Sequence, residues 1–264
     1  DNNPQFEMDS IIRLSENNYF KTTELAKDEA KDEKGFPKNP DFIYNYDVIL
    51  ADLNIIDEIP ETYFQKFENF CAEKGSGILW IGIPQKPDFA FSNIIPLKNN
   101  GSAKSIKKSY LSLEGQFILP KTATENIYSE NSLFLPENIQ YFYAKELRPG
   151  AKTILKTNEN NESVLTVQQF GAGRTAWLGF YSDWRWAMSS SKDAELYKDL
   201  WNNFIVWLAS SSKKRIYPEF NGKKFIIDEN STIKAKILDP DYLPSLSAVV
   251  TANISTPSGK TIEI

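Results

Sequence analysis

Asp47-Val48-Ile49-Leu50-Ala51-Asp52, then Pro60-Glu61 through Gly75, then Ile78-Leu79-Trp80-Ile81-Gly82-Ile83-Pro84, is the stretch that decides the fold. The first run is continuous and apolar, so it predicts a buried parallel strand with neither face in water. Pro60 and Glu61 open a helix, and Gly75 closes it. Phe64, Phe67, Phe70 and Cys71 recur at helical spacing and make one apolar stripe. The last run is a second buried strand that ends in a sharp turn. Strand, helix, strand in this order predicts an α/β fold. A nucleophile or a phosphate loop would sit at that turn, yet Gly82, Ile83 and Pro84 carry no reactive group.

Working outward, composition removes several classes of function. The chain has 264 residues, 41% of them hydrophobic and 13% aromatic, enough for one sizeable domain and part of a second. A net charge of −5 argues against nucleic acid, whose phosphates need clustered Lys and Arg. No apolar run approaches the ~18 residues of a membrane span. No signal peptide is visible, and Asp1-Asn2-Asn3-Pro4 reads as a cut from something longer. There are no histidines, which removes Ser-His-Asp and Cys-His catalysis and His-ligated metal sites. The single cysteine, Cys71, excludes an internal disulfide and makes zinc a poor fit. No metal and no cofactor are expected.

Residues 4–16 read as a helix with Met8, Ile11 and Ile12 on one face, and Tyr19–Leu25 as a short strand. A parallel unit places a strand before its first helix, so the sequence is expected either to begin just after that strand or to keep its remnant in Asp1–Gln5. Ala26–Lys38 is a charge run, read as a solvated loop or frayed helix. Residues 86–150 are rich in Pro, Asn and Ser and predict turns and small strands packed beside the sheet. Tyr141–Ala144 predicts a strand. Ala151–Thr157 and Ser163–Phe170 predict a hairpin around the turn Asn158–Asn161. Gly171-Ala172-Gly173 lies between two strands, so it reads as a turn rather than a phosphate cradle, which needs a helix behind it. Arg174–Phe180 is the next strand. Ser190 or Ser191 caps a helix whose stripe is Leu196, Leu200, Trp201, Phe204, Trp207 and Leu208. After the linker Ser210–Arg215 the period changes to two, with strands at Lys223–Ile227, Thr232–Leu238, Ala248–Ile254 and Lys260–Ile264. Asp239-Pro240-Asp241 reads as a turn, because calcium wants more oxygens than lie near it.

Taken together, the helix after Asn3-Pro4-Gln5-Phe6-Glu7, the strand Tyr46–Leu50, Gly75-x-Gly77-Ile78-Leu79, Gly171-x-Gly173-Arg174, Ser182-Asp183-Trp184-Arg185-Trp186 and Trp201–Leu208 resemble one family. It is the class I glutamine amidotransferase-like domain of large bacterial membrane proteins, which often also carry von Willebrand factor A-type modules. The resemblance covers about residues 1–211, and residues 212–264 resemble the immunoglobulin-like segment that follows. It implies a three-layer, mostly parallel, flavodoxin-like sheet and then a partial β-sandwich. In active members the strand after the first βα unit ends in Gly-x-Cys-x-Gly, with the Cys on a strained elbow. Here Gly82 stands where that thiol belongs. The partner His would lie around Tyr181–Arg185, and none is present. Cys71 falls on the inner stripe of a helix and reads as a buried structural thiol.

In an open sheet, ligands bind beyond the carboxyl ends of the strands. That edge is expected to gather Asp52, Asn54, Gly82, Gln85, Ser182, Asp183, Trp184 and Arg185 as a candidate pocket, with no catalytic residue among them. Asp183 and Arg185 have a simpler reading as a cap and salt bridge that orient the final turn. Of Trp184 and Trp186, one is expected in the core, and the other is open as a contact for a partner or a sugar. The leading expectation is a non-catalytic interaction or ligand-sensing domain, an extracytoplasmic part of a membrane-anchored protein. It would be tethered through its flanking regions and would bind an unknown protein or small ligand. The alternatives are a carboxylate-based hydrolase, possibly glycan-directed, using Asp52 and Asp183, and a structural spacer.

Overall fold

The computed structural model describes residues 6–16, 18–22, 25–83, 92–106, 109–113, 132–135, 139–157, 160–180, 185, 188, 191–212, 216–220, 233–237, 250–251, 253–255 and 261–263. The chain divides into two compact units, Asp1–Ser212 and Lys213–Ile264.

The first unit opens with a hairpin, β1 (Ser10–Ser15) and β2 (Asn18–Thr22), in antiparallel register with Ile12 opposite Phe20. This corrects the helix expected over residues 4–16. Met8, Ile11 and Ile12 fit a helical face, but Met8, Ile12 and Leu14 fit period two equally well, and tertiary hydrogen bonds decide. The Asp9 carboxylate accepts the backbone N–H groups of Leu25 and Ala26 and the Tyr46 hydroxyl. Glu58 accepts from the Tyr19 hydroxyl at 2.8 Å and pairs with Arg13 and Lys34. The polar side of the hairpin is therefore bonded to the body, while Met8, Ile12, Leu14 and Phe20 stay exposed. Asp1–Gln5, where a strand remnant was one expectation, lie outside the described residues.

The central unit is as expected in order. Strand β3 (Val48–Asp52) leads through short 3-10 turns to helix α1 (Phe64–Ala72) and strand β4 (Gly77–Ile81). β3 and β4 are parallel, with Leu50 opposite Leu79. The predicted stripe of α1 points inward, and Phe67, Phe70 and Cys71 are buried. β3 departs from expectation in one respect. It ends the row of strands, and Leu50 is 51% exposed, so one side of this apolar strand does reach water.

Nine of the described strands form one mixed sheet. After β5 (Leu97–Asn100), β6 (Lys104–Ile106), β7 (Ser109–Leu113), β8 (Ser132–Leu135), β9 (Ile139–Tyr141) and β10 (Ala144–Leu147) come β11 (Lys152–Thr157), β12 (Ser163–Phe170) and β13 (Gly173–Leu178). The main row runs β3-β4-β13-β12-β11-β7-β8, with β10 joined to β12 and to β5. Only β3, β4 and β13 are mutually parallel, and every other pairing in the sheet is antiparallel. The mostly parallel sheet is thereby corrected to a mixed one. A parallel crossover needs roughly a dozen residues or more, but β12 passes to β13 through Gly171 and Ala172 alone. Residues 86–150 are corrected as well, since β5, β7, β8 and β10 extend the sheet rather than lying beside it. The predicted strand Tyr141–Ala144 is instead the junction of β9 and β10.

Helix α2 (Ser191–Ala209) closes the unit. Side-chain alternation along β4 and β13 gives each face its own core. On one face Trp80, Ile78 and Trp177 pack with Phe67, Phe70 and Cys71 of α1. On the other, Leu79, Ala176 and Leu178 pack with Leu200, Phe204 and Leu208 of α2. Each such large side chain contributes about 1.5–3 kcal/mol by leaving water. Ser190 and the side chains of Ser191 and Leu196 lie outside the described residues.

In the second unit, β14 (Ile216–Phe220) pairs with β15 (Ile233–Ile237), and β16 (Asn253–Ser255) with β17 (Thr261–Glu263), both antiparallel. β14 begins where a linker had been expected to end. Lys223–Ile227 and Asp239–Asp241 lie outside the described residues.

Candidate functional site

The carboxyl ends of β3 and β4 place two of the expected pocket residues side by side. Asp52 ends β3 opposite Ile81, the last residue of β4, and Gly82 follows. Asp52 is committed locally: its Oδ1 accepts the Asn54 backbone N–H at 2.9 Å and caps the short 3-10 turn Leu53–Glu58. Asn54 is exposed on that turn. Arg185 is exposed, and its carbonyl accepts the Met188 N–H at 3.2 Å. Gln85, Ser182, Asp183 and Trp184 lie outside the described residues, as does Trp186.

Gly82 makes the bend that the strand–turn reading predicted. Its φ is +77°, in the left-handed region that costs an L side chain about 1–2 kcal/mol. Its N–H donates to the Leu178 carbonyl at 2.8 Å. Its carbonyl accepts the Trp177 indole N–H at 2.6 Å, a bond buried from solvent. Both backbone groups of this residue are thus spent on β13. An oxyanion site needs N–H groups aimed at empty space where the oxyanion will form, and this N–H is aimed at a carbonyl.

Cys71 does not substitute for the absent thiol. It is fully buried, its Sγ lies 3.7 Å from the Phe170 carbonyl, and burial pushes its thiol up to about 12. A nucleophilic cysteine needs the opposite, a partly exposed thiol beside a cation or a base. Among the described residues, no group of three His, Cys, Asp or Glu could hold a metal ion. A hollow is present elsewhere, between α2 and the sheet, and its lining is apolar: Leu155, Leu165, Leu178, Phe180, Leu200, Trp201 and Phe204.

A buried lysine lies at the opposite, amino end of the strands. Lys74, just past α1, is 3% exposed, and its ammonium donates to the Tyr46 carbonyl. Burial pushes its pKa down to about 8 against the pull of Asp47. Sequence reading missed it, because one lysine among 30 basic residues reads as solvated. Its one signal is position, at the carboxyl end of a helix just before Gly75, where a cation meets unpaired carbonyls.

No protein-family model and no curated protein matches the sequence. Solved structures are similar at low identity. One, titled a cytoplasmic protein from Salmonella typhimurium, is 16% identical with a TM-score of 0.48, over 76% of this chain and 94% of its own. A second, titled a cytoplasmic protein from Salmonella typhimurium LT2, is 16% identical with a TM-score of 0.45, over 66% of this chain and 76% of its own. A β-galactosidase from Bacillus circulans sp. alkalophilus is 12% identical with a TM-score of 0.40, over 83% of this chain but 31% of its own. Against the extracytoplasmic location expected from the sequence, both Salmonella structures are named as cytoplasmic proteins, which is said of those two proteins. Among the described residues, no helix is long and apolar enough to cross a membrane.

Proposed function

We propose that this chain is a non-catalytic interaction or ligand-sensing domain, built on a glutamine amidotransferase-like scaffold that has lost its reactive groups. The reading brings with it a flavodoxin-like three-layer plan for residues 1–211 and an immunoglobulin-like beginning in residues 212–264. The observation that carries it is the bend at Gly82. A left-handed backbone ends β4 where the amidotransferase thiol would stand, yet the residue has no side chain and its N–H is bonded to Leu178. No histidine exists anywhere in the chain to activate a nucleophile. The carboxylate-hydrolase alternative is not favoured, because the Asp52 carboxylate is engaged as a cap.

Incubation of the purified chain with glutamine, with ammonia measured by a coupled assay, tests the reading. The expected result is no release above buffer. Gly82→Cys is expected to stay inactive too, since a thiol without an imidazole has no base. Ammonia release by the wild-type chain would overturn the proposal.

A further inference from the structure

β3 ends the row of the nine-stranded sheet, and its outer side has no strand against it among the described residues. The Gly77 N–H donates to the Asp47 carbonyl at 3.0 Å, and Val48 lies opposite Gly77 in parallel register. In a parallel ladder this bond fixes which groups face which way. Asp47, Ile49 and Ala51 bond to β4, and Val48, Leu50 and Asp52 turn their backbone N–H and C=O groups outward. Among the described residues, no hydrogen bond reaches the outward groups of Val48 or Leu50. The Leu50 side chain stands at the middle of this row and is half exposed.

Proteins guard such an edge with lysine, proline, a bulge or a very short strand. Val48-Ile49-Leu50-Ala51-Asp52 holds no Lys, Arg or Pro, and its register with β4 runs without a shift. At five residues it has ordinary strand length. What the edge carries is acid: the exposed Asp47 precedes it and Asp52 ends it.

We infer that the outer edge of β3 is a docking site for an extended peptide that adds as an antiparallel strand, with an apolar residue opposite Leu50 and a Lys or Arg opposite Asp52. This rests on the reading of the chain as a non-catalytic interaction domain and gives its partner a chemistry. In antiparallel pairing Leu50 exchanges both of its backbone bonds with the residue opposite. That residue's side chain lies on the same side of the sheet as Leu50 and covers it. Because the added strand runs the other way, the residue facing Asp52 comes two places before the apolar one. The order recognised is therefore Lys or Arg, any residue, apolar. A second copy fits less well. A two-fold centred on Leu50 sets Val48 opposite Asp52 and brings together two chains of net charge −5.

The peptide Ser-Lys-Thr-Leu-Thr-Val-Ser, labelled with fluorescein, is titrated with the full chain and followed by anisotropy. Saturable binding below about 1 mM is expected. Methylating the nitrogen of the peptide's Leu removes one donor and is expected to weaken binding about tenfold. Glu in place of its Lys is expected to weaken binding about fivefold. On the protein, Leu50→Lys is expected to cost about tenfold, and Asp52→Asn, which keeps the cap, about threefold. Absence of saturable binding, or equal binding of the plain and N-methylated peptides, would overturn the proposal; both arms use the wild-type chain, so they stand even where a variant does not fold. Amide hydrogen exchange locates the site. Val48 and Leu50 are expected to exchange fast in the chain alone and slowly with peptide, while Ile49 and Ala51 stay slow throughout. Slow exchange at Val48 and Leu50 that grows with protein concentration and needs no peptide would assign the edge to a second copy instead, against the proposal. Ammonia release from glutamine would sink the non-catalytic reading while leaving these binding measurements intact, so the two failures are told apart.

Discussion

The two ends of the parallel strands β3, β4 and β13 hold opposite kinds of chemistry. At the carboxyl end, where α/β folds place their ligands, the described groups are satisfied by their neighbours. Asp52 caps a turn, and Gly82 bonds to Leu178 and Trp177. At the amino end, Lys74 is buried against the Tyr46 carbonyl and the Asp47 carboxylate. Burial alone produces this contrast. Polar atoms at the first end found partners within hydrogen-bond distance, whereas the amine at the second end was carried out of water with the turn that holds it. The lesson is that the place where a fold usually reacts and the place where this chain is electrostatically poised are different.

The sharpest way to break the comparison is at Lys74. Its ordinary value is 10.5 and its native value about 8. Between these the unfolded chain binds the extra proton, so stability rises with pH from about 8 to 10.5 and is flat below that window. The rise is expected to approach roughly 3 kcal/mol. Lys74→Met is expected to remove it, as read from urea unfolding at a series of pH values. An equal rise in the variant would mean that other groups carry it, and the two ends would no longer differ.

At the carboxyl end the effects are expected to be smaller and independent of pH. Trp177→Phe leaves the buried Gly82 carbonyl without its donor, at a cost of about 2 kcal/mol. Gly82→Ala forces a side chain into the left-handed region, at about 1–2 kcal/mol; a neutral result would show that the bend is soft. Asp52→Ala removes a cap, at about 1 kcal/mol. A loss well above that would mean that Asp52 has partners beyond its own turn.

Legibility in the sequence followed the same division. The unit β3-α1-β4 was readable because its apolar spacing is strict and its helix is punctuated by Pro60 and Gly75. The hairpin β11–β12 was readable from the Asn-rich turn between two strand-like runs. The N-terminal hairpin was not, because Met8, Ile11, Ile12 and Leu14 satisfy two periods at once, and Asp9, Tyr46 and Glu58 chose between them from afar. The mixed direction of the sheet was hidden for a related reason, since an apolar strand reads alike whether its neighbour runs with it or against it. Of the candidate site, the bend at Gly82 and the inert Cys71 were legible; the engaged state of Asp52 and the burial of Lys74 were not.

The amino acids by themselves determined the α/β class, the identity of the central strands and α1, and the lack of imidazole at the strand end. These are matters of period, punctuation and count, which the chain carries locally. Only the tertiary structure decided strand direction, the edge position of β3, and which polar side chains lost their water. Those depend on what a residue meets from far along the chain. Lys74 meets Tyr46 and Asp47, and Asp47 meets Ser212, 165 residues away.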